Sequence, residues 1–394
     1  MTEDYFLEVD YYQGFKHNQM VGGDVFLSHK IKEENRIISV LSDGLGSGIK
    51  ASVLATLTST MASTFVSNYI GVKETAEIIM RTLPVCRQRK ISYSTFSIVD
   101  IDSEGNTRII EYDNPGFILI RNGMPVKIEK SPVKIDRKQY RDTILKYASF
   151  KAQKGDRIIL CSDGVSQSGM GTPSYPLGWG EKEVEKYVLN IISENSGISA
   201  RDLAKRIVNK AMQNDSYKCK DDTTCGVIFY RKPRRLLVVS GPPIDKERDT
   251  VLANMVESFE GNKIICGGTT ANIVSRELKR SVTVNIRDLH PDIPPTSDMK
   301  GIDLVTEGII TLGKVAELLE NSLVTDTKIS TGADKIVNMM LNNDIIHFVV
   351  GTKINEVHQD PNMPVELEIR RNVVKKIMKL LEDKHLKETK LQFI

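Results

Sequence analysis

The chain has 394 residues, with 54 Lys and Arg against 51 Asp and Glu, a formal net charge of +3, 40% hydrophobic and 27% charged residues. That length and apolar content suffice for two or three packed cores at roughly 100–200 residues per domain, and they exclude general disorder. Near-balanced charge without a basic, aromatic-interleaved run excludes nucleic acid as the expected ligand, and the longest apolar runs, such as Ile345-Ile346-His347-Phe348-Val349-Val350, fall short of the roughly 20 residues of a membrane span.

Residues 6–12 open the chain with clustered β-favouring side chains and predict a strand. Residues 36–41 form a short apolar run that stops at Ser42-Asp43-Gly44, and the stretch from Gly48 to about Leu83, rich in Ala, Leu, Thr and Met, predicts two helices. Residues 95–99, 108–112 and 117–120 are β-type runs separated by turn-forming residues, which predicts an antiparallel meander. Residues 157–161 repeat the earlier device, a buried-looking strand that ends at Ser162-Asp163-Gly164. Helices are expected over 181–193 and 199–212, the second with Ser199 and Asp202 spaced as a capping-box variant, followed by a last strand at 223–230.

The basic, proline-broken stretch Arg231-Lys232-Pro233-Arg234-Arg235 marks a boundary between a domain of residues 1–230 and one of residues 236–394. Beyond it come a strand at 236–239, a helix at 245–259, a strand at 263–266, the turn Gly267-Gly268-Thr269-Thr270 and a helix at 271–278. Strand and helix in strict succession predict a smaller, parallel α/β domain. A loop at 291–295 precedes a helix near 309–323. A charged amphipathic helix around 366–384, with Ile369, Val373, Ile377 and Leu380 as its apolar stripe, is expected to end the chain.

Four acidic turns stand at the ends of short strands: Gly22-Gly23-Asp24, Ser42-Asp43-Gly44, Ser162-Asp163-Gly164 and Lys220-Asp221-Asp222-Thr223. One Asp-Gly is ordinarily a surface turn; four in this order carry more. Carboxylates brought together repel unless cations sit between them, and all-oxygen ligands without histidine select magnesium or manganese over zinc. The adjoining glycines permit close backbone approach, and the Gly44 carbonyl is itself a potential ligand. Cys86, Cys161, Cys219, Cys225 and Cys266 form neither a disulfide framework nor a CxxC zinc pattern, which points to a reducing compartment. The amino terminus has no basic-then-apolar export pattern, so a cytoplasmic location is expected.

Over residues 1–230 these turns resemble the metal-dependent type 2C protein serine/threonine phosphatases, in the bacterial branch typified by stage II sporulation protein E. The resemblance rests on Val21-Gly22-Gly23-Asp24, Ser42-Asp43-Gly44-Leu45-Gly46-Ser47-Gly48, Asp113-Asn114-Pro115, Ser162-Asp163-Gly164-Val165 and Asp221-Asp222-Thr223-Thr224. It implies an α+β fold, a central sandwich of two antiparallel sheets flanked by helices with a two-metal site at one end. In that site Asp24 and Asp43 would bridge or flank two cations, Mn2+ or Mg2+, and the Gly44 carbonyl would complete one shell. Asp163 and Asp221 would hold the other cation, with Asp222 where relatives carry Asp or Asn and Asp221 the more direct ligand.

The implied reaction is in-line hydrolysis of a phosphate monoester by a metal-activated water, with no protein nucleophile. Its substrate would be a phosphorylated signalling protein, such as an antagonist of an anti-sigma factor. Cys86 and Cys161 indeed lack the arginine of a cysteine phosphatase. His17 and His29 flank the first acidic turn as alternatives to water as general acid, and no arginine precedes Asp24 to bind phosphate. In the sporulation branch helices near the metal turns act as a switch, so the segment 51–83 is expected to respond to the carboxy-terminal domain or to self-association as a homodimer. A catalytically weak scaffold that binds a phosphoprotein or senses a ligand is the alternative.

Gly267-Gly268-Thr269-Thr270 lies between strand and helix, where backbone N–H groups can receive an anion, but it lacks the Lys-Ser/Thr ending of a P-loop and reads equally as a capped turn. The carboxy-terminal domain is expected to be regulatory or ligand-sensing, with an enzymatic activity of its own as the alternative. Cys219 and Cys225 bracket the last acidic turn and are read as packing residues.

Overall fold

The β-branched and aromatic runs of residues 6–231 form strands because their side chains alternate between two faces that are both covered. A computed structural model describes residues 5–46, 48–83, 94–135, 143–285, 294–321, 331–352 and 364–394. The chain divides into two units, Met1–Lys232 and Pro233–Ile394.

The first unit begins with β1 (Phe6–Gly14), β2 (Asp24–Ile31), β3 (Arg36–Gly44), α1 (Ile49–Ser67) and α2 (Val72–Thr82). It continues through β4 (Ser94–Ile101), β5 (Asn106–Tyr112), β6 (Ile118–Arg121), β7 (Met124–Val126), β8 (Ser131–Ile135), β9 (Thr143–Lys151) and β10 (Arg157–Cys161). It closes with α3 (Asp163–Ser166), α4 (Glu181–Glu194), α5 (Ala200–Asn214) and β11 (Thr223–Arg231). The strands form two sheets, β1-β11-β10-β6-β7 and β2-β3-β4-β5-β9-β8, and their pairings are antiparallel.

Period-two alternation sorts the apolar side chains into layers. Ile37 and Leu41 of β3 face the other sheet, where they meet Leu160 and Ile228, whereas Ile38 and Val40 face outward onto Ala62, Val66 and Ile79 of α1 and α2. On the opposite side Val227 and Phe229 of β11 pack under Val188 and Ile207 of α4 and α5. The result is helix, sheet, sheet, helix, as the resemblance implies. The two amino-terminal helices stand where the sequence puts them, but the expected meander is corrected: β4 and β5 pair, whereas β6 crosses to the other sheet beside β10, and β2, β7, β8 and β9 are added.

The second unit runs β12 (Arg235–Ser240), α6 (Asp249–Ser258), β13 (Asn262–Cys266), α7 (Gly268–Leu278), β14 (Val282–Val284), β15 (Ser297–Met299) and β16 (Ile302–Thr306). It then runs α8 (Ile309–Glu320), α9 (Gly332–Asn342), β17 (Ile345–Val350), α10 (Pro364–His385) and β18 (Glu388–Phe393). Its one sheet has the order β14-β15-β16-β13-β12-β17-β18. The five strands from β16 to β18 are parallel, but β14 and β15 pair antiparallel at one edge, so the sheet is mixed rather than purely parallel. Leu237 and Val239 point to α6 and α7 on one face, and Leu236 and Val238 to α8, α9 and α10 on the other.

Two further expectations are corrected. The chain ends in strand β18, not in the charged helix, and the buried stripe of α10 is Val374, Ile377 and Leu381, leaving Ile369 exposed. Cys86 and residues 291–293 of the expected loop lie outside the described residues. No helix among the described residues is long and apolar enough to cross a membrane.

Candidate metal centre

Asp24 is the first residue of β2 and Asp43 the last but one of β3, and the strand register sets them directly opposite one another. Like charges facing across a strand pair are destabilising. The second sheet brings its own pair to the same end of the sandwich: Asp163 starts α3 just after β10, and Asp221 precedes β11. These two turns are stitched together, since Ser162 N donates to the Thr224 carbonyl at 2.9 Å and Thr224 N to Ser162 Oγ at 2.9 Å.

Glycine makes the close approach possible. A Cβ on Gly44 would lie 2.1 Å from the Ala51 carbonyl oxygen at the start of α1, and one on Gly164 would lie 2.1 Å from the Asp222 carbonyl oxygen. Asp222 anchors rather than lines the cleft. Its Oδ2 accepts from Gly23 N at 2.6 Å and its Oδ1 from Lys16 N at 3.0 Å, which pins the loop that delivers Asp24.

Burial, and then the surrounding carboxylates, shape the electrostatics. Asp24 is 4% exposed and is pushed up to about 7 by burial; the Thr224 and Ser162 hydroxyls offset part of this, and the charges of Asp222 and Asp163 add to it. Burial and then Asp24, Asp163, Asp221 and Asp222 push Asp43 up to about 9. Asp163 is raised by burial and by Asp221. Asp221 is raised by burial against the pull of Lys16, whose Nζ stands 3.9 Å from its Oδ1. The Asp24 Oδ2 atom is buried with no hydrogen-bond partner.

Asp43, Gly44, Asp163 and Asp221 line an open cleft of about 750 Å3. Mutually repelling carboxylates, an orphaned buried carboxylate oxygen and an all-oxygen donor set fit hard divalent cations. Among the described residues, no three Asp, Glu, His or Cys side chains are grouped closely enough to hold a cation as they stand; the carboxylates converge without forming a shell.

The family model of stage II sporulation protein E (SpoIIE) matches residues 33–231, half of the chain. The chain belongs to the SpoIIE family. Its members are metal-dependent serine/threonine phosphatases of type 2C. Similar solved structures include the phosphatase domain of the cell fate determinant SpoIIE from Bacillus subtilis, 18% identical, covering 58% of this chain and 94% of that one, with a TM-score of 0.42. RsbX in complex with magnesium is 20% identical, covering 56% and 94% at a TM-score of 0.38. The catalytic domain of the serine/threonine phosphatase PstP with two manganese ions is 16% identical, covering 58% and 99% at 0.39. No curated protein matches.

In this SpoIIE-family unit the structure brings together Asp24, Asp43, Gly44, Asp163 and Asp221, with Asp222 beside them and turned to the backbone. Gly267, Gly268, Thr269 and Thr270 belong to the second unit, at the start of α7. Neither His17 nor His29 lines the cleft, and both are exposed.

Several cleft residues escaped sequence reading. Lys16 is one: no arginine precedes Asp24, and this lysine is the cation that reaches the cleft. Asn114 is another. Its Oδ1 accepts from Thr95 Oγ1 at 2.5 Å and its Nδ2 donates to Ser97 Oγ at 3.2 Å, so it fixes the strand ends beside Asp43. The motif Asp113-Asn114-Pro115 was its signal, and the positive φ of 55° at Asp113 marks the turn that presents it.

Proposed function

We propose that this chain removes phosphate from phosphoserine or phosphothreonine on a signalling protein, such as the phosphorylated antagonist of an anti-sigma factor, with two divalent cations, Mn2+ or Mg2+, as cofactors. One observation carries the reading: Asp43, Asp163 and Asp221, from three separated segments, line one cleft, and the buried Asp24 stands opposite Asp43 with an oxygen left without a partner. Asp24, Asp43, Asp163, Asp221 and the Gly44 carbonyl are the residues that would hold the cations. When bound, such a pair supplies a nucleophilic hydroxide near neutral pH and neutralises charge on the phosphate.

The chain's own residues do the rest. Asp24 and Asp43, with carboxyls held well above the ordinary range, carry protons in the metal-free protein and release them when cations enter. Asp222 holds the loop that positions both Asp24 and Lys16. The Lys16 ammonium, beside Asp221 at the cleft, is available to a phosphate oxygen. Leaving-group protonation falls to water, because His17 and His29 stand away from the cleft. The open cleft suits a side chain presented by a protein, and a second copy of the chain is a further candidate partner.

Turnover of a phosphoserine peptide tests the reading. It should require Mn2+ or Mg2+ and be lost in Asp43→Asn and Asp163→Asn while circular dichroism stays that of the folded chain. Stoichiometric cation binding with no turnover of peptide or of p-nitrophenyl phosphate would favour the phosphoprotein-binding scaffold instead.

A further inference from the structure

In the second unit α6 and α7 cover one face of the sheet and α8, α9 and α10 the other. Strands β13 and β16 are parallel neighbours, yet the chain leaves β13 towards one face and β16 towards the other. Such a divergence opens a crevice at the carboxyl ends of the strands, where doubly wound sheets receive ligands. The corresponding divergence between β12 and β17 is packed shut, since a Cβ on Gly351 would lie 2.1 Å from the Pro242 carbonyl oxygen.

Two helix N-termini meet at the divergence of β13 and β16. Gly267 caps α7 and Gly308 caps α8, neither with a side-chain bond, and a Cβ on Gly308 would fall 3.6 Å from Gly267 Cα. The N–H groups of each first turn therefore have no intrahelical acceptor, and two positive dipole ends face each other.

The second observation lies in the side chains. Thr270 and Thr311 occupy the third position of α7 and α8, both are 0% exposed, and both hydroxyl oxygens lack a hydrogen-bond partner. Thr270 Oγ1 is the atom nearest the missing Gly267 side chain, at 3.4 Å, so the hydroxyl and not the methyl faces the glycine. Thr306 between them is satisfied, donating to the Glu307 carbonyl at 3.0 Å and approaching Cys266 Sγ at 3.6 Å. Buried hydroxyls without partners are destabilising, and matching ones at two converging N-termini are the donors an anion requires. Glu307, exposed at the rim with Oε1 4.0 Å from the missing Gly268 side chain, adds one acceptor.

We propose that this crevice binds a small organic phosphate: a phosphoryl group received by the first-turn amides and the Thr270 and Thr311 hydroxyls, with a neighbouring ligand hydroxyl donating to Glu307. A sugar phosphate and a nucleotide share this chemistry. Glu307 favours a ligand whose carbon-borne hydroxyl stands beside the phosphoryl group, a donor position that free inorganic phosphate does not supply.

Calorimetric titration of the full chain tests the proposal, with EDTA present so that cations do not draw phosphate to the acidic cleft of the first unit. The probes are ribose 5-phosphate, ADP and inorganic phosphate. Ribose 5-phosphate or ADP should bind, and Thr270→Val and Thr311→Val should each weaken that binding about tenfold. The melting temperature should hold or rise, because valine removes an unpartnered hydroxyl without changing shape. Glu307→Gln should weaken ribose 5-phosphate and tighten inorganic phosphate. Binding of ADP alone would identify a nucleotide, and equal binding of both a sugar phosphate. No binding of either probe, unchanged affinity in both valine variants, or a lowered melting temperature in them would overturn the proposal, whatever the outcome for phosphatase activity.

Discussion

At the scale of single residues, adjacent aspartates Asp221 and Asp222 have opposite tasks. Asp222 is buried and accepts from two backbone amides, whereas Asp221 has a half-exposed side chain beside Lys16. Asp222→Ala should therefore destabilise the chain by about 2 kcal/mol, the usual loss for hydrogen bonds to a buried charge. Asp221→Asn should leave the melting temperature unchanged or higher while weakening Mn2+ binding; equal melting shifts for the two variants would contradict the division. Gly164→Ala must displace the Asp222 carbonyl, since the new Cβ would lie 2.1 Å from it, and should cost about 1–3 kcal/mol in a denaturant titration. The pH dependence follows from Asp24 at about 7 and Asp43 at about 9. Both exceed the ordinary carboxylate value of about 4, so between these limits the folded chain holds protons that the unfolded chain has lost. Metal-free stability is then greatest at the acid end and falls as pH rises through the folded values. Melting scans in EDTA should decline from about pH 5 to pH 9 by this linkage, with a stabilisation by Mn2+ that grows over the same range; a metal-free stability that climbs would contradict the assignment.

At the scale of elements, α9 shows a device that is local and testable. Thr331 and Asp334 form a complete capping box, so Thr331→Ala should cost about 1 kcal/mol, read as a lowered urea midpoint, and no change would mean the cap is redundant. The helix itself was not evident beforehand, because its first residue is glycine and only its buried face, Ile336, Val337, Met340 and Leu341, gives it away. Legibility followed burial. Strands β3, β10 and β11 read clearly because both faces are covered and the apolar run is nearly unbroken. Strand β2 carries Asp24, Ser28, His29 and Lys30, β8 opens with Ser131-Pro132, and β18 is half polar, so their pairing partners rather than their own composition make them strands. The stripe of α10 keeps Ile377 but exchanges Val373 for Val374 and Leu380 for Leu381, because four-residue spacing from Ile369 fits the sequence while the packing below selects the neighbouring positions.

At the scale of the whole molecule, the acidic turns were legible one at a time, and their convergence became legible only through the resemblance to a known family. Nothing in the spacing of Asp24, Asp43, Asp163 and Asp221 states that two sheets deliver them to one end of a sandwich; that depends on pairings such as Asp24 with Asp43 and Cys161 with Cys225. In the second unit, alternating strands and helices announced the fold class, but the order β16-β13-β12-β17-β18, and with it the crevice at Gly267 and Gly308, is a property of long-range pairing. The central claim concerns the cation pair. A direct Mn2+ titration of the full chain, followed by the paramagnetic resonance of the free ion, should count two bound ions per chain and lose at least one in Asp43→Asn and in Asp163→Asn, both still folded. A chain that takes up no Mn2+, or variants that bind it as well as the unaltered protein, would contradict the account.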